Sequence, residues 1–157
     1  MEIIIITSVL FITYLAVRGY IRFKHKEIPY RTDYKPTYPK KLTIEAVELI
    51  EMINNSRTDK LEWDALLFRI AEEHCQEVID GAKPHSNFPF RDKEIRMNNF
   101  VKSGECVGVR FGTVGGFYNG YKRSAKHWKL LQGDYTHIGT SIINDVNVTI
   151  VGKYKRL

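Results

Sequence analysis

Ser124 and His127 stand three residues apart in the stretch YKRSAKHWKLLQGDYTHIG, Tyr121 to Gly139. On a helix that spacing puts a hydroxyl and an imidazole on one face, where His127 could act as general base towards a Ser124 nucleophile. The same spacing also arises when a serine does no more than cap a helix. A second histidine, His85, falls in the irregular run Lys-Pro-His-Ser-Asn-Phe-Pro-Phe, and a loop presents a site residue more readily than a helix interior does. His74 lies beside an apolar helical stripe and reads as a partly buried structural residue. Gly112, Gly115 and Gly116 lack the Gly-Lys-Ser/Thr ending of a phosphate loop, and their spacing does not fit a dinucleotide fingerprint. Cys75 and Cys106 read as small buried apolar residues, with a disulfide as the alternative in an exported domain.

These residues need elements to position them. Thr43 is a plausible N-cap for a first helix with Ala46, Val47, Ile50 and Ile53 on its apolar face, ending at Asn54-Asn55-Ser56. A second helix is expected from about Trp63 to Asp80, stopped by Gly81. Gly104 to Phe111 alternates like a strand, and a third helix carries Tyr121 to Leu131. His137 to Ile143 and Val146 to Tyr154 form a hairpin about Asn144-Asp145. This pattern predicts an α+β domain with an antiparallel sheet between helical layers.

The 157 residues allow one domain and a modest appendage, and 43% hydrophobic with 27% charged content is ordinary for a globular chain. The net charge of +6 is carried by Arg18 to Lys41, where eight basic residues meet Glu27 and Asp33. Sixteen basic and fifteen acidic residues follow from Leu42 onwards, so overall charge gives no support to nucleic-acid binding. Ile3 to Val17 is a run of fifteen residues without a charge. A spanning helix takes about 20 apolar residues, and Arg18 and Arg22 can snorkel to headgroups. Glu2, where a basic n-region belongs, favours an uncleaved signal-anchor over a cleaved signal peptide. The expected organisation is a membrane anchor over residues 1–23, a basic Pro/Tyr-rich linker over 24–41 and a domain over 42–157. Positive charge on the C-terminal side of the anchor biases the domain towards the cytoplasmic side.

In order along the chain, Leu49 to Arg57, Leu61-Glu62-Trp63-Asp64, Ala71-Glu72-Glu73-His74, His85-Ser86, Gly104-Glu105, Ser124-Ala125-Lys126-His127 and Tyr135 to Gly139 resemble the CAP superfamily (cysteine-rich secretory proteins, antigen 5, pathogenesis-related 1). The resemblance is to its short bacterial SCP-like branch, over about residues 44 to 154. It implies an α-β-α sandwich whose cleft gathers two histidines and acidic residues, sometimes around a divalent metal. His85 and His127 match the histidines, and Glu105 matches the acid of the Gly-Glu-Asn motif. Cys106 replaces the usual Asn, and Ser124 stands near the place of a second acid. The resemblance also implies export, opposite to the charge bias.

Two neutral imidazoles and a carboxylate make a legitimate ligand set for an ion such as zinc, with water completing the shell. Without metal, His85, Glu105 and His127 would form a hydrogen-bonded cluster fixing the cleft, or Glu105 or a histidine could activate water. The sequence therefore points to a membrane-anchored binding module with a lipid, cell-envelope or protein partner and membrane lipid at residues 3–23. The alternatives are a metal-assisted, protease-like hydrolase and an accessory subunit of a membrane complex. No nucleic-acid partner is expected.

Overall fold

The computed structural model describes residues 42–155, so the anchor and the linker expected from the sequence both lie outside the described residues. Among the described residues no helix is long and apolar enough to cross a membrane.

Thr43 is extended, and its Oγ1 accepts from the Ala46 N–H at 3.2 Å, which starts α1 (Ile44–Asn55). Ala46, Leu49, Ile50 and Ile53 are its buried residues. Val47 was expected inward, but the stripe at i, i+3, i+4 and i+7 runs through Leu49 instead. Asn54 then brackets Leu61, donating to its carbonyl at 3.0 Å and accepting from its N–H at 2.8 Å. That clamp leads the chain into β1 (Glu62–Trp63), so the following helix, α2 (Ala65–Ile79), begins later than expected. Asp64 caps α2 by accepting from the Leu67 N–H at 2.9 Å, and Gly81 (φ 102°) lets the chain turn away after it.

The segment expected to be irregular beyond Gly81 contains a further helix, α3 (Phe88–Met97). Asn87 enters it in the left-handed conformation, and Pro89 sits in its first turn, where a missing N–H costs nothing. β2 (Phe100–Val109) follows. The helix expected through Tyr121 to Leu131 is two helices, α4 (Val114–Arg123) and α5 (Ala125–Leu131), separated at Ser124. Ser124 is extended (φ −88°, ψ 106°); its N–H closes α4 on Gly120 and Tyr121, and its carbonyl accepts from the Trp128 N–H at 2.8 Å to open α5. β3 (His137–Ile143) and β4 (Val146–Tyr154) complete the chain as the expected hairpin, with Asn144 at φ 49° in the turn.

The sheet order is β1-β3-β4-β2. The β3–β4 and β4–β2 pairs are antiparallel, as expected, but β1 runs parallel to β3, so the sheet is mixed. A two-residue strand is too short to announce itself by alternation. The described domain is thus α+β with five helices and a mixed four-stranded sheet.

Alternation along the strands separates the core into two layers. Cys106, Ile138 and Val151 pack with α1, α4 and α5, while Val107, Val146, Val148 and Ile150 pack with α2 and α3. Each fully buried aliphatic side chain contributes about 1.5–3 kcal/mol. Cys106 belongs to the first layer and Cys75 to the second, and both are free thiols. The sheet between them explains why no disulfide joins them. Burial pushes the Cys75 thiol up to about 12, which keeps it protonated and inert.

Candidate functional site

β2 is an edge strand, and the candidate site forms around its middle. Strand alternation turns Glu105 towards α2 and α3, where its side chain is 1% exposed. A carboxylate so deeply buried needs partners, and α3 supplies one. Arg91, itself 1% exposed, donates from Nε to Glu105 Oε2 at 2.9 Å. Its Nη2 comes within 2.8 Å of the same oxygen but is too poorly aligned for a hydrogen bond; we read the contact as a close ion pair held by the single aligned Nε bond. Arg91 Nη1 reaches Glu77 Oε2 of α2 at 3.4 Å.

The other Glu105 oxygen faces histidines. His85 Nδ1 lies 3.1 Å from Oε1, and His74 Nε2 lies 3.8 Å from it. Carboxylate oxygens accept, so His85 donates from Nδ1 and keeps Nε2 as its free acceptor. His74 is completely buried and holds the loop that carries His85, because its Nε2 donates to Pro84 O at 2.7 Å. Its Nδ1 faces Glu77 Oε2 at 2.7 Å. Both ring nitrogens of His74 thus face acceptor oxygens. Glu77 and Glu105 flank Arg91, supplying the partners that a buried guanidinium needs.

His127 approaches from the opposite layer. It lies in the first turn of α5, where its ring centroid is 6.0 Å from that of His85 and 5.4 Å from that of Tyr121. Tyr121 fixes that wall by donating to the buried Asn147 Oδ1. Cys106, beneath α5, brings its thiol within 3.9 Å of His127 O. Partial burial first, and the neighbouring His85 second, hold the His127 imidazole below its ordinary value of 6.5.

Of the residues expected from the sequence, His85 and Glu105 are hydrogen-bonded and His127 faces His85 across the cleft. Ser124 marks the junction of α4 and α5, and its hydroxyl makes no capping bond. Arg91 and Glu77 went unread. Arg91 lay in a stretch with no assigned element, although His74 and Glu77 at i, i+3 on one helix were a visible pair.

Among the described residues no group of three His, Cys, Asp or Glu side chains is placed to hold a metal ion. Glu105 is engaged at both oxygens, and taking it as a ligand would leave Arg91 buried without its partner. His85 Nε2 and His127 are the donors that remain. Two polar hollows of about 370 and 330 Å³ lie by Arg57 and Gln132 and by Glu62 and His137, and neither is lined by His85, Glu105 or His127.

No family model matches the sequence, and no curated protein matches it significantly. Solved structures do match in three dimensions. An outer surface protein from Borrelia burgdorferi superposes with a TM-score of 0.64 at 21% identity, over 71% of this chain and 93% of that one. An extracellular protein containing a SCP domain from Bacillus anthracis gives 0.62 at 16% identity, over 69% of this chain and 40% of that one. A cysteine-rich secretory protein from Staphylococcus aureus gives 0.62 at 17% identity, over 77% of this chain and 42% of that one. The chain thus spans about two fifths of the length of these last two. Agreement with SCP-domain proteins over most of the described residues, together with the order of elements around His85, Glu105 and His127, shows that this chain has a bacterial CAP-like fold.

Proposed function

We propose that the protein is a membrane-tethered, extracytoplasmic CAP-like module that binds a lipid, cell-envelope component or protein through the His85–Glu105–His127 cleft. The observation that carries this reading is the division of exposure within the cluster. The Glu105 side chain is 1% exposed and engaged at both oxygens, whereas that of His85 is 53% exposed. An acid held this way orients His85 and leaves Nε2 for a ligand's hydrogen-bond donor; it does not offer a free base to water. The apolar run at residues 3–17 supports tethering, and the extracellular Bacillus neighbour supports an exported domain. Protease protection of the domain in sealed vesicles tests the topology.

A second reading is favoured by the same His85–Glu105 bond. A carboxylate on Nδ1 raises the basicity of Nε2, so a divalent ion such as zinc could be held by His85 and His127 with water, as in a metal-assisted hydrolase. Replacing His85 and His127 together with alanine separates the two. Retention of zinc affinity by the wild type, with loss of both zinc affinity and peptide hydrolysis in the variant, would support the hydrolase. An unhydrolysed substrate panel together with envelope-fraction binding that depends on the histidines supports the binding module.

A further inference from the structure

The charge of the domain is near balance only as a sum. From Cys106 to Gly133 there are five basic residues and no acidic one, so the rest of residues 42–157 holds eleven basic against fifteen acidic. Four of the five cations, Lys122, Arg123, Lys126 and Lys129, crowd the junction of α4 and α5, and all four are exposed. Among the described residues none of the four has an ion-pair partner. The arginines of α2 and α3 are paired, Arg69 with Glu73 and Glu94, Arg91 with Glu77 and Glu105, and Arg96 with Asp92. Helix polarity accounts for Lys122 and Arg123 in the last turn of α4. It works against Lys126, which sits in the first turn of α5, where an anion is favoured. Between the cations lie two half-buried aromatics: Tyr118 and Trp128 meet edge to face at 5.9 Å, with Lys122 Nζ 5.9 Å from each centroid.

We propose that this junction is a docking face for the anionic headgroups of the membrane to which the chain is tethered. Tyr and Trp among Lys and Arg suit the headgroup region, where the rings are half wet and the cations meet lipid phosphates. Eighteen residues, the number in 24–41, have a reach of about 55 Å at most in the polyproline form, enough for a tethered domain to turn this face towards the bilayer. Because His127 lies between Lys126 and Trp128, docking sets the mouth of the cleft against the headgroups. The proposal rests on the tethered reading above and adds the face and the lipid chemistry.

The test uses the full chain carrying Trp63→Phe, in which Trp128 is the remaining tryptophan. It is reconstituted into vesicles with brominated acyl chains, composed of phosphatidylcholine alone or with added phosphatidylglycerol. Flotation reports tethering, and bromine quenching of Trp128 reports the face. The expected result is flotation in both, with quenching that needs phosphatidylglycerol and is lost in high salt or when Lys122, Arg123, Lys126 and Lys129 are replaced by glutamate. The salt arm needs no charge variant and so does not depend on how one folds. Flotation with equal or absent quenching in the two lipids overturns the docking face and leaves tethering intact. Failure to float on neutral vesicles, with quenching on anionic ones, overturns tethering and supports the face. Retention by duplex DNA without quenching on either vesicle overturns the lipid assignment in favour of a soluble polyanion.

Discussion

At the scale of single residues, Arg91 decides what Glu105 can do. Replacing Arg91 with methionine leaves a buried carboxylate without its cation, and should cost about 3–5 kcal/mol in denaturant unfolding. Replacing Arg91 and Glu105 together with methionine should recover much of that loss, because both desolvated charges go at once. His127 offers a separate check. Its proton affinity is lowered by burial first and His85 second, so its ring should titrate below 6.5 by NMR and move upwards in a His85→Gln variant. The sign for stability follows: a histidine depressed in the fold contributes above the unfolded value, and that contribution is lost as pH falls from about 6.5 through the folded value. A thermal midpoint that drops less on acidification in His127→Gln than in wild type would confirm the window.

At the scale of elements, close backbone approach and charge placement set the packing. A β-carbon at Gly139 would overlap the backbone of Leu67 and Phe68, so β3 rests directly on the start of α2. Gly139→Ala should therefore cost about 3 kcal/mol or more in unfolding free energy. Lys126→Glu should do the reverse and stabilise the domain by about 0.5 kcal/mol, because it places an anion in the first turn of α5. The terminal hairpin and the first two helices were legible because β-branched alternation, caps and a 3.6-residue stripe speak locally. α3 was not, since Asn87-Phe88-Pro89-Phe90 reads as a loop until Pro89 is recognised as a first-turn residue. β1 was not, since two residues carry no period. His127 and His85 were legible from their places on a helix and in a loop, and Glu105 from the resemblance, whereas Arg91 depends on α3 lying against β2, a contact no local pattern encodes.

At the scale of the whole molecule, the sheet separates two layers that meet at the edge strand β2. The layer of α2 and α3 contributes the Arg91–Glu105 network and the His85 loop, and the layer of α4 and α5 contributes His127 and a basic face without ion-pair partners among the described residues. Asn54-Asn55-Ser56 and Asn147-Val148-Thr149 fit the Asn-x-Ser/Thr glycosylation pattern, and neither competes for this surface. Asn54 spends its amide on Leu61, and Asn147 is buried against Thr140, Ser141 and Tyr121. An exported chain expressed in a glycosylating host should therefore carry no glycan at either position, which intact mass spectrometry reads directly.

Glu105, held by Arg91, orients His85 with Nδ1 protonated and Nε2 bare. Long-range ¹⁵N–¹H correlation of histidine-labelled protein above pH 7 measures this directly. The expected result is a His85 ring with a protonated Nδ1 and an unprotonated Nε2, and loss of that preference in Glu105→Gln. A His85 ring protonated at Nε2, or one unaffected by Glu105→Gln, would contradict it.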